Sequence, residues 1–277
     1  MTGAATQAPE AARLRRLGKY GAILKTQIIN SLAYPADLLS RSLTIVLFMW
    51  IFLHLWKATY SAVGRPSIAG LTLRDTLWYL MLAEAIVLSK PRLSRDIAEA
   101  VRSGAIAYQL NKPYNFVLYH LSTGLGDGAL RIGFNLLAGG AIVWATVGPP
   151  PDPTGWPLVA IAVAAAWLID FCISTLTGFI AFVTEEITAF EWIYSKIRLL
   201  LGGVLIPLDF FPDWLKNAAL SLPFAYTVYG PARLFVDPSA GRFADLLLTQ
   251  AAWLGLFGLL LAFLYRKGAR WLTINGG

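Results

Sequence analysis

The sequence predicts an all-α membrane protein that crosses the bilayer six times. Three observations carry that expectation. The 277-residue chain is 57% hydrophobic and only 14% charged, whereas a soluble domain is roughly 45–50% apolar and about 25% charged. Its apolar residues gather into runs near the roughly 20 residues that a helix needs to cross a hydrocarbon core. Its cations are divided unevenly among the segments between those runs. In water such a chain would expose a large greasy surface, for which lipid is the natural solvent.

Residues 1–10 are small and polar and read as a disordered tail. Residues 11–33 differ. Leu14, Leu17, Leu24, Ile28 and Leu32 recur at helical spacing among Arg13, Arg16, Lys19 and Lys25. That pattern is a basic amphipathic helix suited to the headgroup layer, just before the first span. The spans follow at about 38–56, 73–88, 114–147, 156–183, 187–208 and 243–265. The first ends in the aromatics Trp50, Phe52 and Trp56. The second is short and carries Glu84. The third is Gly-rich and too long for one straight crossing, so it predicts a kink or a first turn outside the bilayer.

Orientation follows from Lys and Arg. With the first residues cytoplasmic, sixteen of the 23 cations fall on the inner side: Arg13, Arg15, Arg16, Lys19, Lys25, Arg41, Lys90, Arg92, Arg95, Arg102, Lys112, Lys196, Arg198, Arg266, Lys267 and Arg270. Six fall outside: Lys57, Arg65, Arg74, Lys216, Arg233 and Arg242. Both termini are therefore expected in the cytoplasm. The same bias explains the net charge of +7 without nucleic acid, for which an interleaved basic and aromatic surface would be needed.

Several function classes lose support. A lone cysteine, Cys172, makes no intrachain disulfide. His54 and His120 are far apart, without carboxylate or thiol company, so no metal site is expected. No phosphate loop, HExxH motif or nucleophile elbow is present. The chain is expected neither to catalyse a reaction nor to bind a cofactor. No cleavable signal peptide is expected, since the first apolar run starts far from the basic cluster and is long enough to span.

Four segments can carry function. Residues 90–115 contain a short helix in which Ser94 could cap a start at Arg95 and Gly104 could end it. Its apolar face, Ile97, Ala98 and Val101, could dock a soluble partner or merely join two spans. Residues 202–236 hold Pro207, Pro212 and Pro223. Between the prolines, Trp214, Leu215, Ala218, Ala219 and Leu222 fall on one side, which reads as a half-buried interfacial helix or a re-entrant hairpin. Third, Glu84, Asp127, Arg131 and Asp170 lie at membrane depth, where ionisable groups are costly. Asp127 and Arg131, four apart, can pair on one face. A polar lining or proton relay and a structural ion pair both remain open. Fourth, in residues 184–196 Thr184 could cap the fifth span, with Glu185 and Glu186 at its positive end. A contact with a soluble partner also remains open there.

Together, LAYPADLLSR before the first span, DIAEAVRSGAIAYQLNKPYN after the second and GGVLIPLDFFPDWL…LPFAY after the fifth resemble the permease subunits of the type-two ABC exporter superfamily. Within it they are similar to a bacterial group of ABC-type permeases with paired permeases and a separate ATPase. The resemblance implies an amphipathic elbow helix at 11–33 and a coupling helix at 92–104, with Asp96, Ile97, Val101, Arg102 and Gly104 engaging the ATPase. It implies external re-entrant helices near the substrate exit, with Pro207, Phe211, Pro212, Trp214 and Pro223. It further implies a bacterial inner-membrane complex of two ATPases and two permeases, the second permease non-identical or identical, surrounded by lipid. ATP and Mg would sit in the partner ATPase. The expected cargo is a hydrophobic or amphipathic compound such as a drug, lipid or glycolipid, moved outward. An ion-coupled transporter or channel using the buried acids is the alternative.

Overall fold

The structure, a computed structural model, describes the backbone of residues 7–184 and 186–275, with side chains described for 18–34, 36, 43–184 and 186–265. Arg13, Arg15, Arg16, Arg41, Glu185, Arg266, Lys267 and Arg270 lie outside the residues so described. Thirteen helices are described: α1 Gln7–Ala33, α2 Pro35–Val63, α3 Leu73–Leu88, α4 Leu93–Arg102, α5 Ala105–Leu110, α6 Phe116–Val147 and α7 Trp156–Phe179. They continue as α8 Ala181–Thr184, α9 Thr188–Leu201, α10 Asp213–Leu220, α11 Pro223–Thr227, α12 Tyr229–Val236 and α13 Ala240–Asn275. The helix α1 starts inside the stretch expected as a disordered tail. Between α2 and α3 a two-residue antiparallel hairpin pairs β1 Ser67–Ile68 with β2 Leu71–Thr72. Its turn runs through Ala69 and Gly70, both at positive φ.

Among the described residues, four helical stretches are long and apolar enough to cross a membrane: Leu43–Val63, Phe116–Val147, Pro153–Thr184 and Ala240–Tyr265. The expected second span is the 16-residue α3. The expected fifth span is the 14-residue α9. At 1.5 Å per residue these reach about 24 and about 21 Å. The helix α9 stops before the expected end at Leu208 for a local reason. Gly203 has φ +70 and sits so close to Tyr79 that a Cβ there would come 2.7 Å from its hydroxyl oxygen. Pro207 follows, and a proline cannot continue the hydrogen-bond ladder.

The centre of the molecule is α3. Every residue from Thr76 to Ile86 is buried, and α2, α6 and α12 pack around it. A helix buried on all sides needs apolar residues at nearly every position; Glu84 is the one ionisable residue in that buried stretch. The outer end of α3 is well fixed. Thr72 and Asp75 form a capping box, and the Arg74 guanidinium donates to the carbonyls of Pro149 and Pro150 at 2.8 and 2.9 Å. The Trp78 indole donates to Gly148 at 3.1 Å. The Pro-rich turn between α6 and α7 is thereby clamped onto α3.

The third span contains no break. The helix α6 runs unbroken for 32 residues, about 48 Å, roughly twelve residues more than a ~30 Å hydrocarbon core requires. At the N-terminal end of α6, α1 packs against it. Gly126 leaves no room for a side chain, since a Cβ there would be 2.9 Å from the Leu24 carbonyl oxygen. The Lys19 ammonium donates to Pro113 at 2.7 Å, and the Tyr20 hydroxyl accepts from the Asn115 amide at 2.9 Å.

Candidate functional site

The segment between α3 and α6 is built around α4. The helix begins at Leu93, not Arg95, and its N-cap is Arg92. Ser94 is therefore inside the first turn, and its hydroxyl donates to Glu191 of α9 instead of capping. At the far end Gly104 does adopt the left-handed region, at φ +74. The apolar face expected to meet a partner is turned inward. Leu93, Ile97, Ala98 and Ala100 are buried, and Val101 is half-buried against them. Ile97 presses on Gly178 of α7, where a Cβ would come 2.8 Å from the Ile97 Cβ. What α4 presents outward is charged: Arg92, Arg95, Asp96, Glu99 and Arg102 are exposed. Arg102 and Glu99 pair at 3.4 Å on the surface, which adds little stability.

Polar side chains of α9 add a second attachment of α4 to the bundle. Glu191 accepts from the Ser94 hydroxyl and, at 2.6 Å, from the Arg95 guanidinium. One turn further, Tyr194 donates its hydroxyl to Asp170 of α7. One more turn on, Arg198 donates to the same carboxylate oxygen at 3.0 Å. A third donor is Lys90, which lies just past α3 and reaches that oxygen at 2.5 Å. Asp170, Lys90 and Arg198 side chains are only 6%, 7% and 14% exposed. Two cations thus share one carboxylate in a nearly dry site, and the Glu84 carboxyl on α3 also feels Arg198. The depth is consistent from two directions. Asp170 lies about 21 Å along α7 from its start at Trp156, and Ser89 lies about 24 Å along α3 from Leu73. Isolated charges at that depth would be expensive, and mutual pairing is what makes them tolerable. On the same inner level Asn135 of α6 donates to the Ser89 hydroxyl at 3.1 Å.

Asp127 and Arg131 form a separate pair at 2.6 Å. It lies about 20 residues along α6 from the helix end at Val147, roughly the length of one crossing. The four intramembrane residues singled out from sequence therefore do not converge.

On the opposite side, between α9 and α13, Leu208–Phe210 makes a 3-10 turn before α10, α11 and α12. Asp209 organises this cap. Lys216 approaches it at 3.3 Å and Arg233 at 3.4 Å, and the Tyr229 hydroxyl donates to it at 3.2 Å. Arg233 continues to Asp237 at 3.1 Å, which also takes Arg242 at 2.8 Å. Pro207 and Pro223 are buried and Phe211 is half-buried, while Pro212 and Trp214 face outward. Trp214 is 72% exposed and Ala219 fully buried, so the two do not share the buried side expected of them. The helix α10 is only eight residues long, and its inward contacts fall near Ala219.

Thr184 does not cap α9 either. It ends α8, and α9 begins only at Thr188. The Glu186 carboxylate accepts from the Thr188 amide at 2.9 Å and from its hydroxyl. Those two bonds hold the Glu186 carboxyl below the usual range.

Sequence reasoning missed Lys90, Glu191, Tyr194, Arg198 and Asp209 as site residues. A signal for three of them existed. Glu191, Tyr194 and Arg198 stand at i, i+3 and i+7, one polar stripe along the helix. Lys90 and Asp209 carry no such periodicity, and only the packing of α4 against α7 and the approach of α10 and α12 to the turn at Asp209 give them partners.

The fold and these sites define a polytopic helical membrane protein with a short, charge-faced helix seated between two of its inner helices. The chain belongs to the ABC-2 family of transporter proteins, whose family model matches residues 42–276. No curated protein matches the sequence. Membership implies association with an ABC ATPase, and the membrane components of this family are generally non-catalytic, with ATP hydrolysis in a separate subunit.

Proposed function

We propose that this chain is the permease subunit of an ATP-driven exporter in a bacterial inner membrane, moving a hydrophobic or amphipathic compound outward. The observation that carries this is α4. Its apolar side anchors it to α7, and its outward side offers Arg92, Arg95, Asp96, Glu99 and Arg102. A helix held firmly on one side and charged on the other is suited to receive a push from a soluble motor. In this reading α2, α3, α6, α7, α9 and α13 are six spans, with both termini cytoplasmic. The two short ones are completed by Ser89–Pro91 and by the chain from Gly202 to Pro207. The helix α1 is the elbow on the inner leaflet, and α10–α12 form the re-entrant cap near the exit. ATP and Mg belong to the ATPase dimer, and a second permease, non-identical or identical, completes the complex. The exposed apolar residues of α2 and α9, Leu47, Trp50, Trp192, Ile193 and Leu200 among them, suit lipid or that second permease.

The ion-coupled alternative, built on Asp127, Asp170 and Glu84, loses support at two of its three acids. Asp170 is engaged by three donors and Asp127 by Arg131, so neither is poised to carry a proton alone.

The test is co-purification with an ABC ATPase co-expressed with this chain. A stable complex that hydrolyses ATP is expected, with affinity weakened about fivefold by Glu99→Arg or Arg102→Glu, the scale of one partly exposed charge pair. Transport driven by a proton gradient in the chain alone, without ATPase, would overturn the proposal.

A further inference from the structure

We infer that α9 is the helix that α4 moves, and that Glu191 is the positioning residue through which the motion passes. The inference rests on the permease reading above and assigns it a mechanical part.

The helix α9 has no buried residue along its 14 positions. It is attached to the bundle chiefly by polar contacts at three points on one stripe. Glu191 grips Ser94 and Arg95 of α4. Tyr194 and Arg198 grip Asp170 of α7. Its apolar contacts are few: Tyr194 touches Phe224 of α11, ring centres 5.9 Å apart, Leu199 borders the main core and Leu201 packs against the cluster of Leu208, Ala219 and Ala225. Close-packed apolar faces resist sliding because every displacement opens voids. Half of α9 faces outward and its other side is half-buried at most, so a helix held there by hydrogen bonds and a few apolar contacts can shift as a body while those bonds stay made.

Its two ends differ, since the Tyr79 hydroxyl donates to the Gly203 carbonyl at 2.6 Å and fixes the far end as a pivot. On one side the chain breaks between α8 and α9. On the other, Gly202 and Gly203 end the helix, Gly203 at φ +70. The inner attachment is also the stiffest available link to α4. Glu191 is a two-pronged acceptor, taking Ser94 on one oxygen and Arg95 on the other, with its side chain only 14% exposed. Charge-assisted pairs with two contacts fix orientation as well as distance. A second link enters from the same direction. Lys90 stands three residues before α4 and ends on Asp170, the carboxylate that also holds Arg198. A push on α4 therefore meets α9 at Glu191 directly and at Arg198 through Asp170. The outer end of α9 leads, through Gly202 to Pro207, straight into the Asp209-centred cap.

The experiment uses the assembled complex with its ATPase. Nitroxide labels are placed in a Cys172→Ser background at exposed sites: Ser103 after α4, Lys196 on α9 and Lys57 on α2. Distances are read by electron–electron double resonance without nucleotide and with ATP plus vanadate. The Lys196–Lys57 distance is expected to shift with nucleotide, while Ser103–Lys196 stays constant. Glu191→Ala is expected to cut the Lys196 shift by at least half while the ATPase remains bound and active. Glu191→Gln, which keeps an acceptor for Ser94 but loses the ion pair, should fall between and serves if the alanine variant folds poorly. Glu191→Asp, which keeps both the charge and the two acceptor oxygens, should restore most of the shift without touching the face that α4 offers to the motor. An unchanged Lys196 shift in Glu191→Ala, or an immobile Lys196 in the active wild-type complex, overturns this inference alone. Failure of any ATPase to bind the wild-type chain overturns the permease reading and the inference with it.

Discussion

Replacing Asp170 with asparagine removes the carboxylate to which Lys90 and Arg198 both donate, leaving two cations in a site where their side chains are 7% and 14% exposed. Breaking a buried ion pair by removing one partner costs about 3–5 kcal/mol, because the other charge stays desolvated and unpaired. Asparagine keeps an acceptor oxygen in place, so about 3 kcal/mol is the expected loss. At roughly 2–4 °C per kcal/mol for a chain of this size, that is a fall of about 6–12 °C in Tm. Replacing Lys90 with methionine should do far less. It leaves Asp170 balanced against Arg198, and a cation and its desolvation penalty disappear together; about 1 kcal/mol is expected. Both variants would be heated in the same detergent and followed by size-exclusion fluorescence. The informative quantity is the ratio, since detergent effects are common to both. Equal losses, or a larger loss for Lys90→Met, would refute the argument that one carboxylate carries two cations.

Two further predictions concern α4 and α9. Gly178→Val puts a side chain where a Cβ already lies 2.8 Å from Ile97; overpacking of this kind costs about 1–3 kcal/mol. Amide exchange across residues 93–102 should rise about tenfold or more and return toward wild type when Ile97→Ala is added; unchanged exchange would show that α4 is not seated on α7 by that contact. Glu186 carries a pH dependence. Its carboxyl is held below the usual range by Thr188, so the folded state has the lower pKa. The capping contribution is then complete above the ordinary Glu range and is lost as the pH falls through the folded value beneath it. Protection of the Thr188 amide should drop on acidification in wild type and stay flat, at a lower level, in Glu186→Gln; parallel curves would refute the assignment.

Much of the fold was legible in the sequence because the bilayer imposes it. A segment in lipid must satisfy its own backbone hydrogen bonds, so apolar length alone marks the helices. The stretches Leu43–Val63, Phe116–Val147, Pro153–Thr184 and Ala240–Tyr265 fall on four of the expected runs. Local chemistry was legible where it acts between near neighbours: Asp127 with Arg131 one turn on, and Gly104 at the end of α4. The failures have one physical source. Ser94 and Thr184 both look like caps by residue type, yet Ser94 is drawn to a carboxylate 97 residues away, and Glu186 outcompetes Thr184 for the start of α9.

What the sequence by itself determined is the solvent of this protein, its helical class and the stretch that folds into α4, because hydropathy, helical period and chain breaks are properties of neighbours. What only the tertiary structure decided is which way α4 faces and what the buried charges do. Ile97 turns inward because α7 offers a glycine to receive it, and Asp170 is quenched because two cations from distant segments reach the same depth. Neither fact is written locally, since the energy of a buried charge or a buried methyl group depends on what the rest of the chain brings beside it.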